Sequence, residues 1–321
     1  MAALGLFRLK PFTPTLHPTF SQALSGLVKS LRVRRLEDAI YWLVYLDTFE
    51  GKQYRFRTAR RLLIGSAEDG HSVAVMEKVR ESFSTISKPQ ADLTSLVAEA
   101  VRICKLPTWW DPASGGPNYI YNSLVGERVW MYKHWEHRVR TVQDEIQRAI
   151  MEKNAHMALG AVAAFHQVHE TFGATKQAEF LLRLAEEIKH DLAMRLCRLH
   201  LSAKSALSGD NNFLSQAVWM MAGGSSPIAE QILPVTDAEC RDLLDQATER
   251  WKNPQPIPRW CCDGIHSAGD DPRFIGLLPQ MWAVCEAFRH YGRVDPADEW
   301  LPQFQCHDGL VIDQHQTGTQ M

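Results

Sequence analysis

The stretches DAIYWL at residues 38–43 and ARRLLIGSAED at residues 59–69 decide the fold of this chain. Apolar residues in both stretches recur every three or four positions, a period that predicts amphipathic helices. The second stretch is followed directly by a glycine, which commonly ends a helix. We therefore predict a helix over residues 57–69 that has a basic start and an acidic end.

Four charged residues of the second stretch indicate a contact surface. Arg60 and Arg61 precede Glu68 and Asp69 by eight positions, so the pairs lie about two turns apart on roughly one side of a helix. This order opposes the helix macrodipole, which disfavours cations near the N-terminus and anions near the C-terminus. A solvated surface with weak ion pairs is the simplest interpretation. The unfavourable order suggests instead a tertiary or intersubunit contact.

The composition indicates a globular chain of one large or two ordinary domains. It has 321 residues, of which 45% are apolar, enough for a sizeable core. The 35 basic and 37 acidic residues give a net charge of -2. Any affinity for nucleic acid must therefore come from a local patch and not from the overall field.

Cysteine usage and hydropathy predict a cytoplasmic protein. The seven cysteines are spread without the dense spacing of a disulfide framework, and no signal-peptide pattern opens the sequence. No apolar run approaches the roughly 20 residues of a membrane span. The start of the chain is basic, as in a transit peptide, but Pro11, Pro14 and Pro18 would break a targeting helix. We expect a basic N-terminal arm over residues 1–19.

Helical periodicity runs through most of the chain and alternating β patterns are almost absent, which predicts an all-α fold. Residues 141–203 predict two long helices that form an antiparallel hairpin turning near Gly173. A loop rich in Pro and Gly precedes this region and marks a domain boundary. The expected parts are a helical domain at 20–124, a second helical domain with the long hairpin at 125–252, a Pro-rich linker with a Cys/Asp/His loop and a final helix at 253–306, and a flexible tail at 307–321.

Several short motifs follow one another in the first of these domains. They are F-x3-L-x2-L-x-K-S at 20–30, D-A-x-Y-W at 38–42, A-R-R at 59–61, S-x-E-D at 66–69 and N-x-x-Y at 118–121. Together they resemble the clamp-loader-collar-like helical C-terminal region of the RarA/MgsA-type AAA+ ATPases. The resemblance covers about residues 20–124, and the spacing from Arg-Arg to Glu-Asp is its most specific element.

The resemblance implies an oligomerising collar and a role in replication-fork maintenance and recombination. Two stretches depart from the family, since Gly70 follows the Glu-Asp pair at once and Pro107 is followed by Thr-Trp-Trp where the family has Lys-Ser. The chain contains no G-x4-G-K-[ST] phosphate loop and therefore lacks the family's ATPase site. A separate AAA+ ATPase subunit is accordingly an expected partner.

Basic residues of the first half are the candidate contact residues. Their interleaving with Tyr54 and Phe56 suits phosphate contact combined with base stacking. An ordinary solvated surface explains the same pattern equally well. We predict a contact to DNA or to a neighbouring subunit from Arg34, Arg35, Arg57, Arg60 and Arg61, and an intra- or intersubunit acidic contact from Glu68 and Asp69.

Two other groups contain residue types that bind metals or catalyse reactions. In the predicted hairpin His156 faces His190, and Glu187 stands three positions before His190 as in di-iron proteins, but the ligand set is incomplete. The second group forms a loop in which a cysteine nucleophile with a histidine base competes with simple backbone capping. Its members are Cys261, Asp263, His266, Asp270 and Asp271. We expect no cofactor.

These observations favour a non-enzymatic, oligomeric scaffold protein of DNA replication, recombination or repair, without a membrane partner. One alternative is a metal-dependent or Cys/His enzyme that uses either group described above. The other alternative is a helical protein-interaction module with no role on DNA. The sequence contains no complete catalytic motif, so the scaffold is the leading expectation.

Overall fold

The structure is a computed structural model, and its described part is all-α, as the apolar periodicity predicts. It describes residues 6–8, 16–68, 72–106, 139–168, 173–203, 212–224, 232–258, 261, 305–307 and 310–312. The helices described are α1 (Phe20–Arg32), α2 (Leu36–Asp47), α3 (Lys52–Glu68), α4 (Val73–Ile86), α5 (Leu93–Lys105), α6 (Val139–Met151), α7 (Ala155–Val168), α8 (Gly173–Glu187), α9 (Asp191–Ser202), α10 (Asn212–Met221) and α11 (Asp237–Lys252).

A small antiparallel sheet accompanies the helices. Its strands are β1 (Leu6–Arg8), β2 (Gln305–His307) and β3 (Leu310–Ile312), in the spatial order β1-β3-β2. Ile312 of β3 pairs with Leu6 on one side and with Gln305 on the other. Strands of three residues are too short to show an alternating pattern, which is why the sequence suggests an arm at β1, the end of the 253–306 part at β2 and a tail at β3.

The chain forms two compact units, and each of them is discontinuous in sequence. The first unit comprises residues 1–61, 85–108 and 233–321, and the second comprises residues 62–84 and 109–232. This division differs from the contiguous domains expected from the sequence. The helix α11 shows the reason, because it lies far along the chain yet packs against α2 and α5 of the first unit.

Helix α1 lies at the centre of the first unit. Its residues from Phe20 to Leu31 are all buried, including five polar ones. A capping box begins the helix: the Oγ1 of Thr19 accepts a hydrogen bond from the Gln22 amide at 3.3 Å, and the Thr19 amide donates to Gln22 Oε1 at 2.9 Å. Gly26 allows the Trp42 indole of α2 to lie directly against the α1 backbone. The core of this unit is thus built around one fully enclosed helix.

In the second unit, short helical pairs replace the predicted long hairpin. Helix α6 packs on α7, α8 packs on α9, and α10 packs on both α7 and α9. An ion pair adds to this packing, since Arg195 donates from Nε and Nη2 to the two carboxylate oxygens of Glu77 at 2.9 and 2.6 Å. The prediction of two uninterrupted helices over 141–203 is therefore wrong in its boundaries.

The predicted long helices are interrupted by turns that the sequence pattern does not predict. Lys153 and Lys189 adopt left-handed backbone conformations with φ of 57° and 56°, and Arg34 does the same after α1 with φ of 59°. Each turn has the two hydrogen bonds of a Schellman motif, for example from the His190 amide to the Ala185 carbonyl at 2.9 Å. Glycine is the usual residue at such a position. Because lysine or arginine stands there instead, no glycine in the sequence marks these helix ends.

At two of the three turns, the side chain of the left-handed residue donates a hydrogen bond to the end of another helix. Arg34 Nε donates to the Leu106 carbonyl at 3.0 Å, and Lys153 Nζ donates to the Met221 carbonyl at 3.1 Å. Lys189 is exposed, and its side chain makes no hydrogen bond or ion pair with the described residues. The strain at Lys189 is therefore not offset by a side-chain contact.

We expect Lys189→Gly to raise the free energy of unfolding of the second unit by about 0.5–1 kcal/mol, because glycine adopts the left-handed conformation without strain. Lys153→Gly should gain less or lose stability, since it also removes the bond to Met221. Urea unfolding followed by circular dichroism measures both effects, with Lys189→Ala as the control that keeps the strain. A loss of stability in Lys189→Gly would contradict this account of the turn.

Candidate functional site

The N-terminal half of α3 is the most basic surface among the described helices. The helix begins at Lys52, five residues earlier than predicted, after Gly51 with φ of 121°. Its first ten residues include five basic ones and no acidic one. Arg60 and Arg61 are the ninth and tenth residues of this helix, so the macrodipole argument made for them from the sequence is wrong. It applies instead to Lys52 and Arg55, which lie in the first turn.

Arg57 is held on an aromatic cluster. Its guanidinium carbon lies 4.6 Å from the ring centroid of Phe20, and its Nη2 donates to Ser21 Oγ at 3.5 Å. The Phe20 ring in turn packs against Phe49 and Tyr54, with centroids 5.4 and 4.7 Å away. Arg57 nevertheless remains exposed to solvent. A cation fixed in this way loses little conformational freedom when it meets an anion.

The two aromatic residues suggested for base stacking have different environments. Tyr54 is part of the cluster that supports Arg57 and is half-buried. Phe56 is 37% exposed, an unusual position for a large apolar side chain, and it stands directly before Arg57. Phe56 is therefore the aromatic residue of α3 that can meet a partner.

The structure separates the predicted basic residues into structural and accessible ones. Arg34 donates to the Leu106 and Leu31 carbonyls at 3.0 and 2.7 Å, so its guanidinium caps helix ends, and its contact to DNA or a subunit stays a prediction. Arg35 lies 4.0 Å from the Asp38 carboxylate, with 42% of its side chain exposed. Arg60 and Arg61 are half-buried. Arg35, Arg57, Arg60 and Arg61 therefore form the accessible set.

The predicted acidic contact is only partly described. Glu68 is the last residue of α3 and is half-buried, whereas Asp69 lies outside the described residues. An acidic residue at a helix C-terminus opposes the macrodipole, so this part of the sequence argument still applies to Glu68. The contact itself stays a prediction.

The proposed metal group of His156, Glu187 and His190 is not assembled. The His156 ring packs edge-on against Trp219 with centroids 5.4 Å apart, and the His190 Nδ1 accepts the Ala193 amide at 3.4 Å as the N-cap of α9. The break at Lys189 removes the uninterrupted hairpin that would have aligned the ligands. Within the described residues, no three His, Cys, Asp or Glu side chains are grouped to hold a metal.

Of the predicted ligand loop, only Cys261 is described; Asp263, His266, Asp270 and Asp271 lie outside the described residues. Cys261 is fully buried and its amide donates to the Pro258 carbonyl at 3.0 Å. A buried thiol is poorly placed for attack on a substrate. Cys197 is also buried, and burial raises the pKa of its thiol to about 12.

An ion pair that the sequence does not reveal links the stretch at residues 38–43 to a helix far along the chain. Arg250 of α11 forms an ion pair with Asp38 of α2, and its guanidinium lies 4.5 Å from the Tyr41 ring centroid. Burial raises the pKa of the Tyr41 hydroxyl, and the positive charge of Arg250 opposes this effect. Asp38 and Tyr41 therefore help to join α2 to α11 within the first unit.

Comparison of the chain with protein-family models, curated proteins and solved structures finds no match. The described helices also include none that combines the length and the apolar character needed to span a bilayer.

We expect iodoacetamide to modify Cys104 in the folded protein at least about tenfold faster than Cys197 and Cys261, because Cys104 is half-buried and the other two are buried. Peptide mass mapping after timed alkylation measures the three rates, and the same reaction in urea is the control in which they become similar. If Cys261 reacted as fast as Cys104, a Cys261 nucleophile would become the better interpretation.

Proposed function

We propose that this chain is a non-enzymatic, oligomerising scaffold protein of DNA replication, recombination or repair, which acts beside a separate AAA+ ATPase. The observation that carries the proposal is the N-terminal half of α3, with five basic residues, no acidic residue and the exposed Phe56. The resemblance to the collar of RarA/MgsA-type ATPases supplies the expectation of assembly. Because the chain contains no phosphate loop, the partner hydrolyses ATP in this proposal.

The charge distribution supports DNA as the ligand of this surface. With a net charge of -2, the chain as a whole has little attraction for a polyanion, so the local density of cations on α3 matters. Each phosphate contact releases counterions, and this release provides most of the non-specific affinity. Phe56 adds a ring on which an unpaired base can stack.

A neighbouring subunit is the other ligand that suits the same surface. Arg60 and Arg61 are half-buried, which is typical of side chains whose stems pack on the protein while their charged ends face outward. In a ring or collar, such residues commonly meet acidic groups of the next copy. The proposal therefore predicts that charge reversal affects either DNA binding or assembly.

We expect Arg60→Glu combined with Arg61→Glu to weaken binding to fluorescently labelled DNA and to lower the slope of log affinity against log salt by about 2, one unit for each lost phosphate contact. If the two arginines contact a subunit, light scattering after size-exclusion chromatography will show a smaller mass instead. Fluorescence anisotropy over a salt series provides the first measurement.

The matched control is Lys88→Glu combined with Lys252→Glu, which makes the same change of charge at exposed positions of the first unit outside α3. This control should change binding and assembly little. Equal losses in both double variants would contradict a specific role for α3. A wild-type protein that is strictly monomeric at tens of micromolar would contradict the assembly part of the proposal.

A further inference from the structure

A polar groove lies between the first helices of the two helical pairs in the second unit. It has a volume of about 260 Å³. Helix α6 lines it with Gln143, Asp144 and Gln147. Helix α8 lines it with Phe180, Arg183, Leu184 and Glu187. The groove is separate from α3 and plays no part in the function proposed above.

The charged groups of the groove do not neutralise one another. Arg183 shares the groove with the carboxylates of Asp144 and Glu187, yet among the described residues it forms no ion pair with either. The side-chain amides of Gln143 and Gln147 likewise make no hydrogen bond to a described residue. The groove thus presents one cation, two anions and two amides to solvent.

The shape and polarity of the groove suit a peptide better than a small molecule. Small-molecule sites are mostly apolar cavities of about 300–1,000 Å³ that enclose their ligand. Here Asp144, Gln147, Arg183 and Glu187 are all exposed, so the groove is open along its side. A segment of chain lying across two helices can use such an open surface.

The lining matches the groups of a peptide one by one. A glutamine amide offers both a donor and an acceptor, which complements the N–H and C=O of a peptide bond, and Gln143 and Gln147 lie one turn apart on α6. Phe180 of α8 provides a half-buried apolar ring, whereas Leu184 lines the groove with almost no exposed surface. Arg183 can take a carboxylate in a bidentate arrangement, and Glu187 can take an ammonium group.

From this chemistry we propose that the groove between α6 and α8 binds an extended peptide segment of a partner protein, in which an apolar residue lies between an acidic and a basic one. The apolar side chain lies on Phe180, the acidic side chain meets Arg183, and the basic side chain meets Asp144 or Glu187. The two amides of α6 hold the peptide backbone. Assembly and DNA binding by α3 do not depend on this site.

The test uses three capped pentapeptides and the full-length chain. Their cores are Glu-Leu-Lys, Lys-Leu-Glu and the uncharged Gln-Leu-Gln, and broadening of the peptide signals in ligand-observed NMR measures binding. We expect at least one charged peptide to bind more tightly than the uncharged one. Arg183→Glu should reduce the affinity of that peptide by about tenfold or more, because a bidentate contact becomes a repulsion.

Two further variants make the result decisive. Gln143→Ala combined with Gln147→Ala should weaken binding several-fold, and it also serves if Arg183→Glu fails to fold. Arg148→Glu is the matched control, since Arg148 is exposed on α6 but does not line the groove. The proposal is overturned if no charged peptide binds better than Gln-Leu-Gln, or if Arg148→Glu reduces binding as much as Arg183→Glu does.

Discussion

The burial of α1 from Phe20 to Leu31 is the constraint on which the first unit depends. A buried helix needs other helices around it, and α2 and α5 both pack against α1. It also needs partners for its polar side chains, such as the hydrogen bond from Lys29 Nζ to Ser25 Oγ at 2.5 Å. Gly26 is required because a larger residue would collide with the Trp42 ring. The stretch at residues 38–43 is thus chiefly a packing surface for α1.

Arginines with the same sequence pattern have different roles because their surroundings differ. Arg34 donates hydrogen bonds to two backbone carbonyls. Arg250 forms an ion pair with Asp38 and lies over the Tyr41 ring. Arg57 is fixed on Phe20 and still exposed, while Arg183 is exposed in a groove with two carboxylates and forms an ion pair with neither within the described part of the chain. A cation whose hydrogen bonds are satisfied inside the protein has little left to offer a ligand. Arg57 and Arg183 are therefore the stronger candidates for recognition.

The sequence predicts helices well and their ends poorly. The apolar period locates α1, α2 and α5 and identifies the fold as all-α. It fails at Lys153 and Lys189, where a left-handed turn without glycine divides a pattern that looks continuous, and at Lys52, where α3 begins before its apolar stripe. The incomplete metal group of His156, Glu187 and His190 requires a continuous hairpin, which the turn at Lys189 removes. The sequence does not predict the polar groove, because the two sides of the groove come from different helices.

The sequence by itself determined the helical class, the dense basic stretch of α3 and the lack of a phosphate loop, because each of these is a property of neighbouring residues. Only the tertiary structure decided which side chains remain available. It grouped distant segments into two units, joined Asp38 to Arg250 and placed Arg183 in one groove with the carboxylates of Asp144 and Glu187. The physical reason is that burial and pairing depend on which helices pack together, and residues far apart in the chain carry no local signal of this packing.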